Sequence, residues 1–141
     1  MKSKLALVIG LTVALLLTAS CGRQQGSSVK PEGDAQARIE FLEGEEHDFG
    51  TYYERDTLYH DFVFRNVGTV PFTISRIEPS CHCTSASFSE RPVAPGATDT
   101  IRVSYDGNGF VEGHFVKRCD IYSNADTVYH LRIHGRYYEK E

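Results

Sequence analysis

The sequence predicts an all-β domain, a sandwich of about seven strands, on three observations. Past residue 38, apolar and polar residues alternate in short runs. Turn-forming residues punctuate those runs at regular intervals, and no stretch there carries apolar residues at spacings of three and four over a helical length. The candidate strands, in order, are Ile39–Phe49, Leu58–Asn66, Phe72–Glu78, Thr98–Tyr105, Phe115–Ser123 and Thr127–Tyr138. Between them stand Asn66-Val67-Gly68, Ala94-Pro95-Gly96, Asp106-Gly107-Asn108-Gly109 and Ser123-Asn124-Ala125-Asp126, whose Gly, Pro, Asn and Asp content marks turns. Phe62 and Phe64 share one face against Asp61, Val63 and Arg65. Ile101, Val103 and Tyr105 oppose Arg102 and Ser104, and Leu131 and Ile133 oppose His130, Arg132 and His134. Period two of this kind turns one face to a core and the other to water. Isolated hairpins are not stable in water, so these strands must share one core.

The amino end has a different logic. Met1-Lys2-Ser3-Lys4 is basic, Leu5 to Leu17 is almost wholly apolar, and Thr18-Ala19-Ser20 are small or hydroxylated. That run suits the hydrophobic centre of a signal peptide and is short for a membrane span. Leu17-Thr18-Ala19-Ser20-Cys21 resembles a bacterial lipobox, which implies that Cys21 becomes the acylated first residue of the mature chain. Each buried methylene of an acyl chain contributes about 0.8 kcal/mol, and more than one chain makes anchoring stable. The expected organisation is a signal peptide over 1–20, a lipidated Cys21 with a flexible linker over 21–37, and a sandwich over 38–141. The linker is rich in Gly, Ser, Gln and charge and has too little apolar surface to order itself. The residues after Cys21, Gly22-Arg23-Gln24-Gln25, include no acid. By resemblance to lipoprotein sorting signals this points to the outer membrane, facing the periplasm.

Composition excludes some partners. The formal net charge is −4 with acids and bases interspersed, so no basic stripe exists to grip phosphates, and nucleic acid is not an expected partner.

Several segments occur in a telling order. They are His47-Asp48-Phe49-Gly50-Thr51, Phe62-Val63-Phe64-Arg65-Asn66-Val67-Gly68 and Ile77-Glu78-Pro79-Ser80-Cys81-His82-Cys83-Thr84, followed by Ala94-Pro95-Gly96, Gly113-His114-Phe115-Val116-Lys117, Tyr122-Ser123-Asn124 and Ile133-His134-Gly135. The series resembles the immunoglobulin-like domain-of-unknown-function family 1573, a family of exported Bacteroidetes proteins with a Cys-x-Cys motif. The resemblance implies an immunoglobulin-like β-sandwich over roughly Ile39 to Tyr138, and no established reaction. The family generally carries Gly between its cysteines, where this chain has His82, and an aliphatic residue where this chain has Cys119.

With Cys21 set aside for lipid, Cys81, Cys83 and Cys119 remain. Outside the cytoplasm accessible thiols tend to oxidise, so one bridge and one leftover thiol are expected. A Cys81–Cys83 bridge closes a very small ring and needs a bent backbone. A Cys81–Cys119 or Cys83–Cys119 bridge would staple the loop after the third strand to the fifth, for about 2–4 kcal/mol. Such a structural staple is the first expectation. A metal site is the alternative: Cys81, His82, Cys83 and Cys119 suit Cu(I) or Zn²⁺ by ligand type, although the spacing is tighter than in structural zinc sites. A redox-active pair is a third reading; the sequence lacks the Cys-x-x-Cys at a helix start that lowers thiol pKa.

The histidines His130 and His134 fall on a solvated strand face, while His47, His60 and His114 lie near strand ends. No nucleophile elbow and no Ser-His-Asp spacing is present, so no catalytic residue and no resident cofactor is expected. Tyr52, Tyr53, Tyr59, Tyr129, Tyr137 and Tyr138 offer amphipathic contact area. The expectation is a non-catalytic interaction or scaffold lipoprotein of the cell envelope whose partner is another envelope protein. The alternative is a metal-binding or thiol-handling lipoprotein built on Cys81, Cys83 and Cys119.

Overall fold

Alternating runs become strands wherever one face can be buried, and the computed structural model, which describes residues 35–107 and 112–140, contains eight of them. They are β1 (Ile39–Phe41), β2 (Glu46–Tyr52), β3 (Leu58–Asn66), β4 (Ile74–Pro79), β5 (Thr84–Ser87), β6 (Thr98–Tyr105), β7 (Gly113–Ser123) and β8 (Tyr129–Tyr137). One sheet runs β1-β3-β6-β5 and the other β2-β8-β7-β4. All neighbours are antiparallel except β2 and β8, which are parallel. This is the strand arrangement of an immunoglobulin-like sandwich, with the first strand shared between the sheets. The expected signal peptide, Cys21 and most of the expected linker lie outside the described residues.

The core is where the alternation placed it. Phe62, Phe64, Ile101 and Val103 face inward from one sheet, and Cys119, Ile121, Leu131 and Ile133 from the other, each at most 2% exposed. Phe72 closes the core from the β3–β4 loop. Burial of this apolar surface is the main force holding the two sheets together.

Four expectations change. The single strand over Ile39–Phe49 is two strands: Phe41 pairs with Phe64 in one sheet and Glu46 with Arg132 in the other. Gly44, at φ 90°, turns the chain across between them. Phe72 is a lone bridge to Val93, and its strand starts at Ile74. β5, Thr-Ser-Ala-Ser, has no apolar alternation to announce it; a hydroxyl pair, Ser85 to Ser104 at 2.7 Å, and the buried Thr84 tie it to β6 and the core. Finally, the linker's last residues are docked, because Gln36 N–H donates to Thr69 Oγ1 at 3.0 Å and Ala37 is 7% exposed.

The segment His47-Asp48-Phe49-Gly50-Thr51 forms a bulge in β2. The register to β8 shifts between Asp48 and Thr51. Gly50 supplies the left-handed turn at φ 68°, and its N–H donates to Asp48 Oδ1 at 2.8 Å. The irregularity lets Phe49 pack against the core.

Candidate functional site

Where β4 of one sheet leads into β5 of the other, the chain bends through Cys81-His82-Cys83. Cys81 and Cys83 are joined in a disulfide with their Cα atoms 5.3 Å apart, well inside the range that a disulfide spans. His82 is exposed at the apex, and no described residue other than glycine has a positive φ. The position therefore does not require a glycine. The turn is held by Thr84 N–H donating to Cys81 O at 3.3 Å and by Ser80, whose N–H donates to Arg118 O at 2.8 Å and whose Oγ accepts from Arg118 N–H at 3.0 Å. Thr84 is 4% exposed, and its hydroxyl contacts both sulfurs, 3.3 Å from Cys81 Sγ and 3.9 Å from Cys83 Sγ. Cys81 and His82 line a surface depression with Ile77, Glu78, Pro79, Ser80 and Thr84.

This pairing replaces the expected staple to Cys119. Cys119 lies on β7 opposite Pro79, 1% exposed, as a free thiol inside the core. It packs in the hydrophobic core as a small apolar side chain, as a buried thiol can. Burial, with a smaller contribution from Asp120, pushes its pKa up to about 11, so it is inert at neutral pH. The donors Cys81, His82, Cys83 and Cys119 consequently do not converge. Among the described residues no group of three or more His, Cys, Asp or Glu side chains is placed to hold a metal ion. Closing a three-residue loop also stabilises little: loop entropy gives about 1.5 kcal/mol, against about 3 kcal/mol for fifteen residues.

A second cluster joins the sheets. His47 on β2 and His60 on β3 stack with ring centroids 3.6 Å apart and planes at 11°. Phe49 stands edge-on to His47 and Phe62 edge-on to His60, at 4.6 and 4.5 Å. Burial is the main reason both imidazoles are held below the ordinary 6.5. His134 adds to the effect on His47 and His47 to that on His60, against the opposite pull of Asp48, Glu43 and Asp61. A histidine pKa lowered by folding means that the unfolded chain binds more protons between the two values. Stability is therefore full above about pH 6.5 and is lost as pH falls through the folded-state values. The melting temperature is expected to drop between about pH 7 and about pH 5, and to drop less in a His47→Phe/His60→Phe variant. Parallel thermal melts of the two proteins check this, and equal slopes would remove the pair from the explanation. Period two puts His60 on the same face as Phe62, but nothing local in the sequence tells that His47 meets it.

The outer faces of the two sheets differ. On β2-β8-β7-β4 charged and polar side chains are laced together: Arg118–Asp120 at 2.8 Å, Arg76–Glu78 at 2.7 Å, His130–Asp120 at 2.7 Å, and His134 within 3.3 Å of both Glu46 and Asp48. Such exposed pairs contribute little to stability and make a solvated face. On β1-β3-β6-β5 the central charges, Asp61 and Arg102, engage each other in two 2.7 Å hydrogen bonds. Around them register brings together Tyr59, Ser104 and Ser85 in one row, and Leu42, Val63 and Thr100 in another. Tyr59 is 62% and Leu42 48% exposed. Of the other tyrosines, Tyr53 and Tyr138 are exposed, Tyr52 and Tyr129 are half-buried, and Tyr137 is in the core.

Comparison with known proteins bears on these features. The family described as protein of unknown function DUF1573 matches over residues 39–137. The chain belongs to this family. The DUF1573 chain has no match among curated proteins. Its fold is similar to that of a protein of unknown function from Porphyromonas gingivalis W83, with TM-score 0.64 and 16% identity over 77% of this chain and 51% of that one. It is also similar to a PapD-like domain of human CEP192, with TM-score 0.53 and 13% identity over 80% of this chain and 94% of that one. A third likeness is to the secreted serine protease VesC of Vibrio cholerae, with TM-score 0.51 and 15% identity over 74% of this chain and 23% of that one. The DUF1573 chain thus spans about half the length of the Porphyromonas protein. At these identities the likeness establishes the fold alone, an immunoglobulin-like β-sandwich.

Proposed function

We propose that this DUF1573 chain is a non-catalytic interaction module of the cell envelope, lipid-anchored through Cys21 at the outer membrane on its periplasmic side, that docks another envelope protein on the outer face of sheet β1-β3-β6-β5. The observation that carries the reading is the contrast between the two faces. Protein-binding surfaces are depleted in charge at their centre and enriched in tyrosine. The face meets the tyrosine part of that description with Tyr59, beside Leu42, Val63 and the hydroxyls of Ser85, Ser104 and Thr100; its charges are the mutually paired Asp61 and Arg102 and, toward β1, Glu40 and Arg65. The opposite face carries Arg76, Arg118, Arg132, His130 and His134 among acids, with Val116 exposed between them, a pattern mostly suited to water.

A photo-crosslinking residue placed at Tyr59 in cells is expected to form one discrete adduct with a protein of the membrane fraction, and one placed at His130 none. Tyr59→Ala should lower the chain's own stability by less than about 0.5 kcal/mol, because the side chain is exposed. A Cys21→Ser variant should leave the membrane fraction and lose the adduct. Equal labelling from both faces would sink the docking reading, and unchanged fractionation of Cys21→Ser would sink the anchor.

A further inference from the structure

We propose that the Cys81–Cys83 disulfide is an exchangeable redox centre that oxidises a dithiol stoichiometrically, with the buried Thr84 hydroxyl stabilising the thiolate released. The inference is independent of the docking face. A bridge that closes so short a loop does little to restrict the unfolded chain, so stability does not explain it. It is placed where a thiol can reach it, since Cys81 and His82 line the depression beside Glu78 and Pro79. Thr84 supplies the chemistry. Its side chain is withdrawn from water, and its hydroxyl lies 3.9 Å from Cys83 Sγ, the sulfur released in the first step, and 3.3 Å from Cys81 Sγ, the sulfur released in the second. Toward a disulfide sulfur that hydroxyl is a weak donor. Toward a thiolate it makes a charge-assisted hydrogen bond, which lowers the pKa of the leaving thiol and speeds exchange.

The exchange balances in two steps. One thiolate of the dithiol attacks Cys81 Sγ, forming a mixed disulfide as the Cys81–Cys83 bond breaks and the electron pair leaves on Cys83 Sγ. The second thiol, as thiolate, then attacks the substrate sulfur of the mixed disulfide, closing the substrate's own disulfide and releasing Cys81 as thiolate. The two protons given up by the dithiol end on Cys81 and Cys83. Two electrons pass from substrate to protein. Cys119 takes no part, because it is sealed in the core and cannot scramble the pair.

The test uses the full-length chain and dithiothreitol as the dithiol, with iodoacetamide labelling read by mass spectrometry. Under native conditions Cys81 and Cys83 should become labelled while Cys119 stays unlabelled and the circular dichroism spectrum keeps its β form. Thr84→Val should slow reduction about tenfold, the effect of one hydrogen bond to a charged group, and Thr84→Ser should restore the rate. Labelling of Cys119 together with Cys81 and Cys83 would mean that reduction requires unfolding and would overturn the proposal, as would a Thr84→Val rate equal to wild type. Should Thr84→Val fail to fold, Cys83→Ser decides: its Cys81 thiol is expected to take one glutathionyl group from oxidised glutathione, releasing glutathione, and no adduct overturns the proposal.

Discussion

Asn66→Ala is expected to lower the unfolding free energy by about 2–4 kcal/mol. Asn66 ends β3 at 0% exposure, and its amide joins three segments. Nδ2 donates to Val70 O at 2.9 Å and to Val93 O at 2.8 Å, while Oδ1 accepts from Gly68 N–H at 2.9 Å. Val93 O keeps a second donor, Phe72 N–H at 2.9 Å, and Gly68 N–H keeps Arg38 O at 3.1 Å. The alanine cost therefore falls mainly on the Val70 carbonyl, which loses the amide, and on the small cavity left behind. Asn66→Asp separates the two contributions. A carboxylate there would face two carbonyl oxygens in place of donating to them, so folding raises its pKa above the ordinary 3.9. An acid whose folded pKa is raised destabilises more as pH climbs from the unfolded value through the folded one. At about pH 7 the Asp variant should be less stable than the Ala variant, and the gap should close towards about pH 4. Urea unfolding of both variants at the two pH values checks this, and a pH-independent gap would refute the carbonyl-facing geometry. Using the difference between variants removes the separate acid effect of His47 and His60.

Gly68→Ala should cost about 1–3 kcal/mol and release the start of the domain. A methyl group at Gly68 would overlap the Gln36 carbonyl and lie 2.7 Å from Arg38 N. Both obstacles are backbone, so no rotamer change relieves them. The same backbone is what the turn holds: Val67 and Gly68 N–H both donate to Arg38 O, and Thr69 N–H donates to Gln36 O at 2.9 Å. Moving it withdraws Ala37 and Ile39 from the core, where they are 7% and 5% exposed. Amide exchange at Val67, Thr69 and Ile39 should accelerate well beyond that at Ile121 in the same variant. Uniform protection, with a melting temperature within about one degree of wild type, would show that the contact is not needed.

These two residues also show how far the sequence carries. Asn66-Val67-Gly68 reads correctly as a turn, since Asn and Gly suit one, but the turn is half of its role. The other half is a clamp on Gln36–Arg38, about thirty residues away in the chain, and no local pattern encodes that partner. The cysteines behave alike. Arithmetic announced one bridge and one leftover thiol, and left three pairings open. The choice of Cys81–Cys83 follows from the bend between β4 and β5, and the silence of Cys119 from its inward place on β7. The strand β5 was missed because an edge strand of small hydroxylated residues has almost no inward face to mark it.

Sequence alone determined the all-β class, the membership suggested by its motifs, the bounds of β3 and β6, and the inward identity of Phe62, Phe64, Ile101, Val103, Leu131 and Ile133. Those follow from period-two alternation, a local property in which each residue declares its own face. Only the tertiary structure decided which strand lies beside which, that the first strand divides between sheets at Gly44, that His47 stacks on His60, and that Thr84 stands over the disulfide. Each of these joins segments distant in the chain. Their geometry is set by how two twisted sheets close over a common core, and alternation says which residues go in without saying whom they meet.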